Sequence, residues 1–246
     1  SGMRAVGVLR PLLATASGDP LFQQAYARAN EIAGDDIRAG EAFAEAAYLG
    51  GRPEQALVQL NNLKKRDDLD YYQRSRIDAR IAEIARNALM RHADVRLFGQ
   101  PRQMARTTVV RYEPGMTYGW HVDEALFPST PPMRSDLSCT VFLNSPTEYQ
   151  GGELTIQLGS QELSYKLQAG DALLYPSTTV HQVAPVTQGI RIAAITWLQS
   201  WVADVSRREL LAQIEEARSL ADPANARQRV LLESLRTNLF RMWADT

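Results

Sequence analysis

Between Ala105 and Leu198 the sequence is cut into runs too short for helices and too apolar for loops. TTVVRY, LSCTVFLN, GELTIQL, LSYKL, DALLYP, HQVAPV and RIAAITWL are rich in β-branched and aromatic residues, and Gly, Pro, Asn or Ser separates them. With YGWHV they make about eight strands at the spacing expected of an all-β sandwich or barrel. No other stretch restricts the fold so strongly, because a chain with this texture must close its strands into two facing sheets.

The flanks read differently. Before about residue 100 the chain is Ala- and Arg-rich with helical spacing. Leu21, Ala25, Ala29 and Ile32 are expected on one buried face, and Ile77, Ile81, Ile84 and Ala88 on another. Gly50-Gly51-Arg52-Pro53 reads as a tight turn between helices. The segment AEAAYLGGRPEQALVQL (44–60) resembles a tetratricopeptide repeat. The following KKRDDLDYYQRSRIDARIAEI is similar to the helical tail of bacterial zinc proteases that end in such repeats, without their HExxH motif. After Ala203 helical stripes return, Leu211, Ile214 and Ala217 in one helix and Leu231, Leu235, Leu239 and Met242 in a second, with Asp222-Pro223 between them. The predicted fold class is mainly β with flanking helices. Residues 1–90 form a helical segment, either a cap or a tetratricopeptide-like module. Residues 91–203 form the jelly roll, and residues 204–246 form C-terminal helices packed on that core.

Charge removes one class of function. The 27 basic and 28 acidic residues leave a formal net charge of −1, so nothing in the balance attracts nucleic acid. The apolar stretch Val6–Ala16 is interrupted by Arg10 and Pro11, too short and broken for a membrane span and a poor signal peptide. Cys139 is the single cysteine, which excludes an intramolecular disulfide and a zinc site built on several thiolates. The chain fits a reducing compartment and is expected in the cytoplasm.

The chemistry-bearing residues lie in the β region. The histidines are His92, His121 and His181. On a strand, His121 and Asp123 are two apart and point to the same face. His181 follows the strand DALLYP and the turn Ser177-Thr178-Thr179. Two neutral imidazoles and one carboxylate on one side of an ion form the facial triad of non-heme Fe(II) oxygenases, which leaves positions open for a co-substrate and O2. Ten residues after His181, Arg191 opens the strand RIAAITWL, where alternation places Arg191, Ala193, Ile195 and Trp197 on one face. An arginine inside a barrel is costly unless paired, and its guanidinium fork matches a carboxylate. 2-Oxoglutarate suits that arrangement, with its keto acid end on iron and its far carboxylate on Arg191.

RYEPGMTYGWHVDEALF, RSDLSCTVFLN, YQGGELTI, LQAGDALLYPSTTVHQVAPVTQGIRIAAITWLQSWV and the terminal LFRMWAD resemble the bacterial PKHD-type hydroxylases, Fe(II)/2-oxoglutarate dioxygenases of the prolyl 4-hydroxylase type. The resemblance runs over about residues 86–245. It implies a double-stranded β-helix, iron held by His121, Asp123 and His181, 2-oxoglutarate held by Arg191, and ascorbate as the reductant that restores Fe(II). In related prolyl hydroxylases a tyrosine near the position of Tyr112 bonds the co-substrate carboxylate, and Tyr118 is a weaker candidate for the same role. Residues 1–85 depart from the family, whose N-terminal part carries a Lys-Asn-Asn-like stretch. LVQLNNLKK (57–65) is at most an echo of it.

The implied function is hydroxylation of an unactivated C–H bond of a peptidyl or small-molecule substrate, with 2-oxoglutarate decarboxylated to succinate. Two alternatives stand beside it, a non-catalytic jelly-roll binding module and a helical-repeat interaction protein. The oligomeric state is open. Gly151-Gly152 is expected to serve a turn or bulge, His92 to be a surface helix residue and Cys139 a small buried residue. Trp197, Trp201, Phe240, Met242 and Trp243 are expected to pack helix against barrel. The Pro-rich segment 124–136, directly after the His-x-Asp, is a candidate lid.

Overall fold

The computed structural model describes residues 2–245. Helices lead: α1 (Gly2–Leu9), α2 (Leu13–Ala16), α3 (Pro20–Ala33), α4 (Asp36–Leu49), α5 (Pro53–Lys64) and α6 (Tyr71–Arg91). Strands follow: β1 (Pro101–Met104), β2 (Thr108–Tyr112), β3 (Tyr118–His121), β4 (Leu126–Phe127), β5 (Met133–Arg134), β6 (Leu137–Phe142), β7 (Tyr149–Gly151), β8 (Leu154–Leu158), β9 (Gln161–Tyr165), β10 (Ala172–Pro176), β11 (His181–Val183), β12 (Val186–Gly189) and β13 (Arg191–Ser200). Two helices close the chain, α7 (Val205–Ser219) and α8 (Ala226–Trp243).

The helix starts follow local chemistry. The carboxylates of Asp19, Asp35 and Asp70 accept backbone N–H bonds at the beginnings of α3, α4 and α6, and Pro20 and Pro53 fill first-turn positions that need no donor. The turn at Gly50–Pro53 brings α5 back onto α4. On α6, Ile77, Ile81 and Ile84 are buried, with Ala85 and Leu89 rather than Ala88 completing the face. The expected stripe on α3 is wrong. Leu21 and Ile32 are 72% and 74% exposed, and the buried face carries Tyr26, Ala27, Ala29 and Asn30. Small residues suit that face because Ala42 of α4 packs against Tyr26 and Ala27 and lets the two helices lie against each other.

The strands form the two sheets of a jelly roll. One runs β1-β13-β6-β10, with β2 also on β13, and the other runs β3-β11-β8-β9. Every residue of β6 is buried, because both of its faces are covered. Cys139 and Val141 join Ile192, Ala194 and Leu198 in a cluster continuous with α4, α5 and α6, while Phe142 faces inward with Leu154, Ile156, Tyr175 and Val183. The N-terminal helices and the outer face of the first sheet therefore share one hydrophobic core.

The strand reading needs four adjustments. β1 lies before the region expected to be β. HQVAPV divides into β11 and β12, with Pro185 in the break. The strand expected over LSYKL starts two residues earlier at Gln161, because Gly159-Ser160 is a two-residue hairpin turn that pairs Leu158 with Gln161. The segment 124–136 holds a small hairpin, β4 with β5. At the C-terminus, α7 buries Arg208, Leu211 and Ala212, and Ala217 of its expected stripe is exposed. No residue of α8 is buried, and Leu231, Leu235 and Met242 are all exposed. The end of α8 is instead tied down by polar contacts. The Asp245 N–H donates to Trp201 O at 2.8 Å, and Asp245 pairs with Arg134 at 2.9 Å.

Candidate metal centre

Register brings the two imidazoles together. β11 is an inner strand of the second sheet, and its His181 stands directly opposite His121 of β3, with ring centroids 4.2 Å apart. Asp123 is not on the strand with His121. β3 ends at His121, and Asp123 lies in the connection that follows. Its carboxylate still turns to the same side, with Oδ1 3.8 Å from His121 Nε2 and Oδ2 3.8 Å from His181 Nε2. These are the ligand atoms of a candidate metal cluster, all within 4.8 Å of one another.

Hydrogen bonds orient the set. His121 Nδ1 lies 2.7 Å from Gly119 O, and His181 Nδ1 lies 2.9 Å from Thr179 O. A carbonyl only accepts, so each Nδ1 carries a proton, which leaves Nε2 as the metal-binding nitrogen of each ring. Burial lowers the His181 pKa below its usual value, which keeps the ring neutral. The Ser138 hydroxyl donates to Asp123 Oδ2 and sits 2.9 Å from the Ser177 hydroxyl, so a buried serine pair steadies the carboxylate. Two lone-pair nitrogens and one carboxylate, each oriented by a neighbour, suit a divalent transition ion and leave room on one side.

Arg191 stands in the same cavity, about 220 Å³ in volume, which His121, Asp123, His181 and Tyr112 also line. It is 1% exposed, and its Nε has no hydrogen-bond partner. No carboxylate pairs with it among the described residues. The rings of Tyr112 and Phe142 lie 5.2 and 5.7 Å from its guanidinium carbon. Burial pushes its pKa down, partly offset by Tyr149, Tyr112 and Tyr175. Gly152, at φ +69°, leaves space for the arginine stem, since a Cβ there would stand 3.0 Å from Arg191 Cδ. A buried cation without a counter-charge is expensive, and an incoming carboxylate would relieve it.

Sequence reasoning missed Tyr149 and Ser138. Tyr149 OH is buried without a partner beside Arg191. Its one visible signal is its place two residues before Gly151-Gly152. Ser138 carried no signal beyond alternation along β6. Tyr118 meets the His121 ring edge-on at 4.3 Å. Trp197 also lines the cavity; Phe127 of the small hairpin lies 4.8 Å from its ring, and its indole N–H is buried and unpartnered. His92 is exposed just beyond α6, and Cys139 is 2% exposed with its thiol pKa pushed up to about 12 by burial.

Comparison with known proteins gives these features a context. The model of the 2OG-Fe(II) oxygenase superfamily matches residues 107–199, which include all four of His121, Asp123, His181 and Arg191. A PKHD-type hydroxylase of Sphingopyxis alaskensis is 36% identical over 205 residues, 81% of this chain and 90% of the relative. One from Acaryochloris marina is 41% identical over 167 residues, 67% of this chain and 75% of the relative. A solved Pseudomonas putida prolyl-4-hydroxylase aligns with a TM-score of 0.36 at 17% identity, over 60% of this chain and 78% of that one. So low a score adds nothing to a fold already defined by its strand order.

Proposed function

This chain belongs to the PKHD-type hydroxylases within the 2OG-Fe(II) oxygenase superfamily, and from that premise we propose which of its residues carry the reaction and what it acts on. The family activity is Fe(II)- and 2-oxoglutarate-dependent hydroxylation, with O2 as the oxidant. His121, Asp123 and His181 hold the iron, and Arg191 holds the far carboxylate of 2-oxoglutarate, with Tyr112 and Tyr149 beside it. The observation that carries this assignment is the convergence of three oriented ligand atoms and one unpaired buried guanidinium in a single cavity.

With iron and 2-oxoglutarate bound, the group supplies O2 activation: one oxygen atom enters the substrate as hydroxyl, the other enters succinate, and CO2 leaves. The chain positions and shields. Arg191 would orient the co-substrate by a charge-assisted contact of its guanidinium with the far carboxylate. The Nδ1–H bonds of both histidines and the Ser138 hydroxyl hold the three ligands in place. Phe127 packs on Trp197, a residue that lines the cavity, and this contact supports a lid role for the segment 124–136. No side chain has to serve as a nucleophile. Ascorbate is the reductant that returns iron to Fe(II), and the working compartment is the cytoplasm.

The substrate is a peptidyl side chain. Trp120, Val122 and Leu126 are neighbours of the ligands in the chain and are 45%, 50% and 60% exposed, and exposed apolar side chains of this kind suit contact with a protein surface. No helix of the described residues is long and apolar enough to cross a membrane. The test is succinate release from 2-oxoglutarate with cell-extract peptides and, separately, small metabolites. Stimulation by the peptide fraction, with a peptide that gains the mass of one oxygen, is expected. Stimulation by metabolites alone would overturn the peptidyl reading.

A further inference from the structure

β13 carries Arg191 at its first residue, where the sheet is least complete. On one side Arg191 is opposite Tyr112 of β2. On the other, the β6 ladder ends with Phe142 opposite Ala193, two residues short of Arg191. Beyond it the Leu143 N–H donates to Ile192 O at 3.1 Å, and the side chain of Asn144 continues the pairing. Its Nδ2 donates to Ile190 O at 2.7 Å, and its Oδ1 accepts from the Ile192 N–H at 2.9 Å. One amide thus grips the backbone immediately before and after Arg191, as a neighbouring strand would.

Asn144 is in turn held from the N-terminal helices. Asn61 of α5 donates from Nδ2 to Leu143 O at 2.7 Å, the carbonyl of the peptide bond that leads into Asn144. Asn61, Asn144 and Arg191 are 2%, 2% and 1% exposed. Lys65, one turn beyond Asn61, pairs with Glu148 at 2.6 Å and fixes the far end of the same connection. Leu57, Leu60, Leu143 and Ile192 share the core around this path. Buried amides with one or two specific partners restrict position far more than apolar contacts do.

We propose that α5 sets the position of Arg191 through Asn61 and Asn144, so that the N-terminal helices tune affinity for 2-oxoglutarate without touching it. This rests on the reading that Arg191 anchors the co-substrate. Asn61 and Asn144 are positioning residues, and the two histidines, on β3 and β11, belong to the other sheet.

The test is anaerobic titration of 2-oxoglutarate into Fe(II)-loaded protein, followed by its charge-transfer absorption, with Fe(II) affinity measured separately. A displacement of about 1 Å at a positioned group costs up to about 100-fold. Asn144→Ala should raise the 2-oxoglutarate midpoint by about tenfold and Asn61→Ala, one step further away, by about threefold. Both should leave the Fe(II) midpoint unchanged and raise KM for 2-oxoglutarate with little change in kcat. Ile81→Ala loosens the same core outside this hydrogen-bond path and should leave the 2-oxoglutarate midpoint alone. If either alanine variant fails to fold, Asn144→Asp, which keeps the acceptor for Ile192, and Asn61→Ser replace them. Arg191→Ala separates the two ideas: if it weakens 2-oxoglutarate while the asparagine variants do not, the positioning proposal fails and the anchor stands. If Arg191→Ala itself leaves the midpoint unchanged, the anchor fails. Equal weakening by Ile81→Ala would reduce the effect to general loosening and overturn the proposal.

Discussion

Replacing Arg191 by methionine should make the unliganded protein more stable and the co-substrate complex weaker. The guanidinium is 1% exposed, has no carboxylate partner among the described residues, and leaves Nε unbonded. Exchanging buried ionic groups for apolar side chains of similar volume is often neutral or stabilising, by about 1–4 kcal/mol where it stabilises, and a lone buried charge with no counter-charge belongs at the stabilising end. At about 2–4 °C per kcal/mol for a chain of this size, the unfolding midpoint should rise by at least about 2 °C. Removing one partner of a buried charge-assisted pair costs about 2–5 kcal/mol. That weakens 2-oxoglutarate binding by about 30-fold at the lower end and more than about 1,000-fold at the upper. Arg191→Lys should recover only part of the loss, since an ammonium lacks the planar fork. Calorimetry without 2-oxoglutarate gives the first quantity, and anaerobic titration into Fe(II)-loaded protein gives the second. A lowered midpoint of unfolding in Arg191→Met would show that the folded chain already compensates the charge, and an unchanged titration would remove Arg191 from the site.

Ser138→Ala removes the donor to Asp123 Oδ2 and should weaken Fe(II) binding by about tenfold, measured by competition with a chelator. A chain beginning at residue 86 loses α4, α5 and most of α6 from the shared core, so it should lack a cooperative calorimetric transition; sharp unfolding with retained iron binding would show that the barrel stands alone. Cys139, with its pKa pushed up to about 12, should resist alkylation in the native protein at pH 8. Its folded pKa is raised above the unfolded one, so its contribution to stability is complete below the unfolded pKa and is lost as pH rises toward about 12; pH-dependent unfolding of Cys139→Ala against the parent reads this out.

The candidate site is legible in the sequence because a facial ligand set and its arginine depend on a few residue types at short spacing, and the structure brings those residues into one cavity. His121, Asp123, His181 and Arg191 could be named before any fold was known, and alternation along RIAAITWL placed Arg191 and Trp197 on the side that lines the cavity. What the sequence hid was contact across long separations. Ser138 reaches Asp123 fifteen residues away, and Asn61 reaches Leu143 across 82, and neither pair leaves a local pattern. Asp123 was placed on a strand because a two-residue spacing fits one, yet the strand ends at His121 and Ser138 holds the carboxylate in its stead. The helical flanks were harder for another reason. Periodicity finds a stripe but not the surface that covers it. Leu21 and Ile32 of α3 lie outside the small-residue face that is buried, and Leu231 and Leu235 of α8 remain exposed while Leu239 is half-buried.

On the function proposed above, His121, Asp123 and His181 together hold the iron. Anaerobic Fe(II) titration of the parent and of His121→Ala, Asp123→Ala and His181→Ala tests it most directly, read by bound metal and by the charge-transfer absorption that 2-oxoglutarate then induces. The parent should bind one ion per chain. Each variant should bind none at the same concentration, because two ligands do not define a facial site. Iron bound by His181→Ala at the parent's midpoint, with the same absorption on adding 2-oxoglutarate, would contradict the account at its foundation.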